Sequence, residues 1–386
     1  MQLSREIGFF HGNIFLLSIM IGSGIFVSLK GVLKYSSLNI PVSLSIWAAC
    51  ALLNMITALC HAELGTTFPR SGAPYYFLKR SLGSSVAFLS LWIKLFAFSL
   101  GIGALNLLIS SYIIRPFYAG CPAPELPKKC LALTMLWSLG ILNAQGMVTV
   151  AWFQTISTLV KMAVLCFISI TGIAPLVTGK KENLARFENA LDAEFPNASQ
   201  VAEALLQGFF AYSGSSILIN LAGRDKNPAK NIPKSLITTI SGVTVIYLLV
   251  NISYLAVLTP KEIISSDSVA VTWMDKVFPS IQWIISLGIS TSLFGNTCSI
   301  LVISRIFYTA SQERQLPLIY AMLSNHLCPA VAVIQIVLLS SFIIIPSGLI
   351  NLIRYVGLMG WTISGLQMID LLKLRYQDSN LHRPYK

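Results

Sequence analysis

Two short stretches of this 386-residue chain place polar and helix-breaking residues together inside apolar runs. Ile21-Gly-Ser-Gly-Ile-Phe26 sets two glycines two residues apart, and Phe209-Phe-Ala-Tyr-Ser-Gly-Ser-Ser216 sets a glycine among hydroxyls. Each glycine weakens a helix by roughly 1 kcal/mol relative to alanine. The bland reading is close helix packing through small residues. The chemical reading is an interrupted helix, which bares amide N–H groups on one half-helix and carbonyls on the other. A zwitterion fits such a gap, with its carboxylate on the N–H end and its ammonium on the carbonyl end. No ionised side chain is then needed at the centre of a membrane, where one is expensive.

Lys161, in Thr158-Leu-Val-Lys-Met-Ala-Val164, is the next signal. A lysine in such a run must be paired or functional, and it lies too far from either end to snorkel. Lys94 and Glu63 lie nearer the ends of their runs and read as structural, Glu63 as the partner of a basic loop. Arg354 reads as reaching the outer interface.

The rest of the sequence says what must position these residues. Hydrophobic residues make up 55% and charged ones 11%, against roughly 25% charged in soluble domains. With a mean hydropathy of +0.72, this is an integral membrane protein. The net charge of +12 reads as basic loops facing anionic lipid, and not as a nucleic-acid surface. The four histidines and seven cysteines have no metal-ligand spacing, and no nucleophile motif, P-loop or carboxylate pair occurs. Neither an enzyme nor a cofactor is expected.

Charge-free runs, divided at Asn143-Ala-Gln-Gly146 and Pro346-Ser-Gly348, predict ten helices: 8–33, 41–67, 83–113, 131–143, 148–178, 202–222, 233–258, 279–311, 329–345 and 348–373. Placing the amino terminus inside puts the larger share of Lys and Arg in cytoplasmic loops. It also puts the sequon Asn197-Ala-Ser199 outside, whereas Asn251-Ile-Ser253 falls within a span. Both termini are then cytoplasmic. The expected organisation is one all-α polytopic domain over 1–386, with repeats at 1–178 and 202–373 and a tail at 374–386. Five helices per repeat invert the second against the first. Each interruption falls in the first helix of its set, the pattern that marks a mid-membrane transport site. Cys121 and Cys130 lie in the outside loop after the third helix, an oxidising side where they can pair with each other or with a partner chain.

Several motifs then act together: Ile21-Gly-Ser-Gly-Ile-Phe-Val27, Glu63-Leu-Gly-Thr-Thr-Phe-Pro-Arg-Ser-Gly72, Tyr75-Tyr-Phe-Leu-Lys79, Phe210-Ala-Tyr-Ser-Gly214, Asn227-Pro with Ile232-Pro233, and Ser304-Arg-Ile-Phe-Tyr308 with Leu316-Pro317. Together they resemble the light subunits of heteromeric amino acid transporters, the L-type family of the APC superfamily, over nearly the whole chain. The segment Val32 to Trp47 looks most like asc-type members, with aspartate/glutamate-type members next.

The resemblance implies a LeuT-type 5+5 inverted repeat and sodium-independent exchange of amino acids across the plasma membrane. Ser23 and Gly24 match positions that hold the carboxylate, and Met20, Phe210 and Ser213 match positions whose carbonyls hold the amine. Ile25 and Gly214 complete the implied binding set, and Phe210 matches the gating aromatic. Lys161 matches a lysine that stands where sodium-coupled relatives bind an ion. Cys121 matches the cysteine bonded to a type II glycoprotein heavy subunit.

The departures concern specific positions. Family members have about twelve spans, so the final two helices are expected to be absent. Arg224 stands where relatives carry glutamate, Arg314 where they carry glycine, and Leu29 where they carry proline. The expected function is transport of small neutral L-amino acids. The alternatives are an acidic amino acid or cystine carrier, and a truncated subunit that does not transport.

Overall fold

Where the first apolar run holds its two glycines, the chain folds as two helices rather than one. In the computed structural model α1 (Phe9–Met20) ends two residues before the Gly22-Ser-Gly24 step, and α2 (Gly24–Tyr35) leaves at a bend of 47°. The structure describes residues 8–22, 24–68, 73–118, 124–144, 147–177, 194–220, 222, 225–266, 268–279, 288, 298–312, 314–324, 328–377 and 382–385. Ser23, Cys121 and Arg224 lie outside them.

The other elements follow the apolar runs. They are α3 (Ile40–Thr67), α4 (Ala73–Ser81), α5 (Ser84–Ile114), α6 (Glu125–Ala144), α7 (Met147–Val177), α8 (Ala198–Ala211) and α9 (Ile217–Asn220). After these come α10 (Pro228–Val257), α11 (Pro260–Ser265), α12 (Val269–Val277), α13 (Cys298–Gln312), α14 (Ala330–Ile344) and α15 (Leu349–Gln377). No strand occurs among the described residues. The divisions expected at 143–146 and 346–348 fall between α6 and α7 and between α14 and α15. Three short helices form where the sequence predicts loop: α4, whose last turn carries Lys79 and Arg80, and α11 and α12 between the long helices. In α11, Thr259 caps the first turn and Glu262 bonds back to its amide. The Glu262 carboxyl sits at about 2, because Lys276 and the Thr259 amide favour its charged form.

Among the described residues four helices are long and apolar enough to cross a membrane: Ile40–Thr67, Ser84–Ile114, Gln154–Ala174 and Pro228–Val257. The bent pair α1–α2 makes a fifth if it counts as one span. Large apolar side chains on α5 and α7 point outward at helical spacing, among them Leu89, Trp92 and Phe96, and Trp152, Ile156 and Leu159. A water-facing surface does not carry such stripes; a lipid-facing one does. The protein is a helical, multi-pass membrane protein.

Two apolar clusters hold the helices together. One gathers α1, α2, α3, α8 and α10 around Trp47, Tyr212 and Tyr247. The other gathers α5, α6, α13, α14 and α15 around Leu91, Leu136, Ile336 and Phe307. Polar fastenings also cross between elements. Buried Glu63 on α3 pairs with Arg375 at the end of α15 and with Arg383 beyond it, 3.5 Å away. Asp370 accepts a hydrogen bond from Ser81 on α4. Arg354 donates to the Tyr35 hydroxyl at 3.3 Å.

Arg314 shows what a family glycine would be for. It follows the end of α13 with φ +59°, the left-handed conformation that closes a helix. Its N–H donates to Ser311 O and that of Gln315 to Ala310 O, each at 3.0 Å, the bonds of a Schellman closure. A side chain there is strained by about 1 kcal/mol. Arg314→Gly is therefore expected to raise the thermal unfolding temperature of the purified chain. An unchanged or lower temperature would contradict the strain.

Candidate functional site

The two interruptions meet. A Cβ on Gly24 would lie 2.4 Å from the Ala211 Cα, so the start of α2 rests against the end of α8 backbone to backbone. Gly214, at φ +109°, has Ile19 Cγ2 2.7 Å from where its Cβ would stand. Only glycine tolerates both that φ and that neighbour. The turn over 212–216 separates α8 from α9, as the glycine and hydroxyl pattern predicts.

Something must replace the hydrogen bonds that the interruptions remove. Ile21 N–H still reaches Leu17 O at 2.9 Å. Lys161 Nζ, buried to 1% exposure, donates to Ser18 O at 2.8 Å. The Ser18 hydroxyl in turn accepts from Gln154 on α7. An ammonium at the carbonyl end of α1 is the charge that a helix dipole favours there. Tyr247 on α10 has two carbonyls in reach of its hydroxyl, Met20 O at 2.8 Å and Ala211 O at 3.2 Å. It thus links the ends of both interrupted helices. Trp47 and Tyr212 stack edge-on and tilted against it, with ring centroids 5.2–6.0 Å apart.

Beside this junction lies a cavity of about 250 Å³. Its lining comes from the interruptions (Met20, Gly22, Gly24, Phe210, Ser213, Gly214), from one face each of α3, α5 and α15, and from Ile306 of α13. Five residues expected at the site from sequence, Met20, Gly24, Phe210, Ser213 and Gly214, are thereby brought together. Ile25 is not among the lining residues and is fully buried in the apolar core beside them. Lys161 stands behind α1, and exposed Asn197 begins α8 with its N–H bonded to Gln200 at 2.9 Å. Two carbonyls already accept bonds: Met20 O from Gly22 N–H at 2.9 Å as well as from Tyr247, and Phe210 O from Ser213 N–H at 3.1 Å.

Sequence reasoning missed the walls. Asn54, Thr57 and His61 line the cavity from α3, Lys94, Ala97 and Gly101 from α5, and Gly357, Gly360, Ser364 and Gln367 from α15. Lys94, expected to be structural, interacts with Asp370 and also lines the cavity. The signal was present: small or polar residues recur every three or four positions in otherwise apolar helices, so they share one face.

The amino acid permease family matches residues 7–386. The chain belongs to that family. Solute carrier family 7 member 12 of Mus musculus is 63% identical over 100% of this chain and 83% of its own length. Member 13 of Homo sapiens is 52% identical, over 100% and 82%. The b(0,+)-type amino acid transporter 1 of Homo sapiens is 32% identical, over 100% and 79%. These permease relatives are amino acid transporters rather than enzymes. None of these three names carries the asc-type or aspartate/glutamate-type label suggested by Val32 to Trp47, so membership stands at the level of the family.

Tyr247→Phe tests the junction. It leaves the aromatic packing and removes the hydroxyl shared by Met20 O and Ala211 O. Stripping a partner from buried carbonyls costs about 1–3 kcal/mol, so the purified permease should unfold at a lower temperature. Unfolding at the wild-type temperature would mean that the bonds do not hold the junction.

Proposed function

We propose that this permease carries small neutral L-amino acids without sodium, by exchange, through alternating access around the two interrupted helices. The observation that carries the proposal is the junction itself: two interrupted helices in backbone contact, opening onto one cavity. The substrate carboxylate takes the free N–H groups at the start of α2, with Ser23 and Gly24, while Ile25 shapes the turn from behind. The ammonium takes the carbonyls of Met20, Phe210 and Ser213. Tyr247 has a single proton for two carbonyls, so an arriving ammonium can take Met20 O while the hydroxyl keeps Ala211 O.

Sodium independence rests on Lys161. Its ammonium is seated on Ser18 O at the end of α1, and a second cation there would meet like-charge repulsion in a low dielectric. Neutral substrates are favoured over acidic ones because Lys94, the cation facing the cavity among its lining residues, is already opposed by Asp370. Phe210, partly buried at the cavity edge, is the gating aromatic.

The topology proposed is ten spans in two inverted five-helix repeats of the LeuT type, 1–178 and 202–373, with both termini in the cytoplasm of a plasma-membrane protein. Asn197 then faces outside as a glycosylation site. A relative is named large neutral amino acids transporter small subunit 2, of Mus musculus. By analogy Cys121 bonds this chain to a type II glycoprotein heavy subunit.

Phe210→Ala tests the gate. Labelled alanine uptake should fall at least about tenfold, the loss expected when about 1.4 kcal/mol of closure is removed. Surface biotinylation on the same cells, with heavy subunits supplied and withheld, should show the variant still present. Full uptake by the variant would refute the role given to Phe210.

A further inference from the structure

The α3 wall carries a polar group that the transport reading leaves unused. Asn54 is buried to 1% exposure and lines the cavity at the level of the second interruption. One end of its carboxamide accepts from the Ser215 hydroxyl at 3.2 Å, which ties it to the turn beside Gly214. The other end, Nδ2, has no hydrogen-bond partner among the described residues. One turn on, Thr57 also lines the cavity. Its hydroxyl donates to Asn54 O at 2.9 Å, which leaves the oxygen free to accept.

We propose that Asn54, with Thr57, is the specificity-determining subsite for the substrate side chain, and that it selects a hydroxyl over a methyl of the same size. This rests on the reading of the cavity as an amino acid site. A buried amide without a partner is costly, and a ligand that supplies the missing bond gains by that amount. A hydroxyl accepts from Nδ2 and donates to Thr57 Oγ1 at once. It also serves if the carboxamide is turned end for end, because it can then donate to the amide oxygen. A methyl group supplies neither bond. The position is suited to a short side chain, because Ser215, which holds Asn54, follows directly on Gly214 of the interruption.

The test compares isosteres: serine with 2-aminobutyrate, and threonine with valine. Binding to the purified full chain is read by thermal shift, and labelled alanine uptake is followed in cells as competition by the same four compounds. In the wild type each hydroxyl compound should bind about fivefold tighter than its methyl isostere, the ratio set by one net hydrogen bond. Asn54→Leu should bring both ratios close to one while 2-aminobutyrate and valine still bind. The ratio is taken within one protein, so a lower expression level does not move it. Equal affinities in the wild type overturn the inference, even if Asn54→Leu does not fold. So does a fivefold ratio that survives in Asn54→Leu. Uptake of alanine without any hydroxyl preference overturns this inference alone. Neither binding nor uptake of any of these amino acids overturns the transport reading along with it.

Discussion

A helix cannot be opened inside a membrane unless its lost hydrogen bonds are replaced, because the lipid offers none. That constraint organises this permease. Each interruption is set by glycines, but its cost is met from neighbouring helices: Lys161 on α7 takes Ser18 O, and Tyr247 on α10 takes Met20 O and Ala211 O. Neither group comes from the interrupted helices. The long helices α7 and α10 pack against α1 and against each other, so the junction is held by rigid elements on the side away from the cavity. On the cavity side, α3, α5 and α15 present small and polar residues among apolar ones.

The division of labour explains the two apolar clusters. One surrounds the junction and fixes it; the other, built from α5, α6, α13, α14 and α15, forms the opposite wall. The cavity is lined from both. Closure between two such bodies is the kind of motion that alternating access requires. Phe210 belongs to an interrupted helix yet packs on the opposite cluster, which suits the gating role proposed for it.

Much of this was legible in the sequence, for physical reasons. Glycine pairs such as Gly22 and Gly24 act locally, so an interruption can be read from one helix alone. The buried ammonium of Lys161 was equally legible, because a charge in an apolar run demands a partner whatever the fold. Asn54, Lys94 and Gln367 were not, since helical spacing says that residues share a face but not which neighbour that face meets. The short helices α4, α11 and α12 escaped because charge and brevity hide an apolar pattern. Arg314 departs from the glycine that the resemblance implies there, and its left-handed φ is a conformation that glycine adopts without strain. Ile25 adjoins Gly24 in the sequence, but its side chain packs into the apolar core instead of lining the cavity.

Lys161 holds the end of α1, and in the proposed function its ammonium stands in place of a coupling cation. The most direct measurement replaces external sodium with an impermeant organic cation and follows initial uptake of labelled alanine into cells at fixed membrane potential. Uptake with an unchanged rate and half-saturation is the result predicted. Uptake that falls with sodium and recovers in proportion to it would contradict the account, because a sodium ion would then share the site given to the Lys161 ammonium.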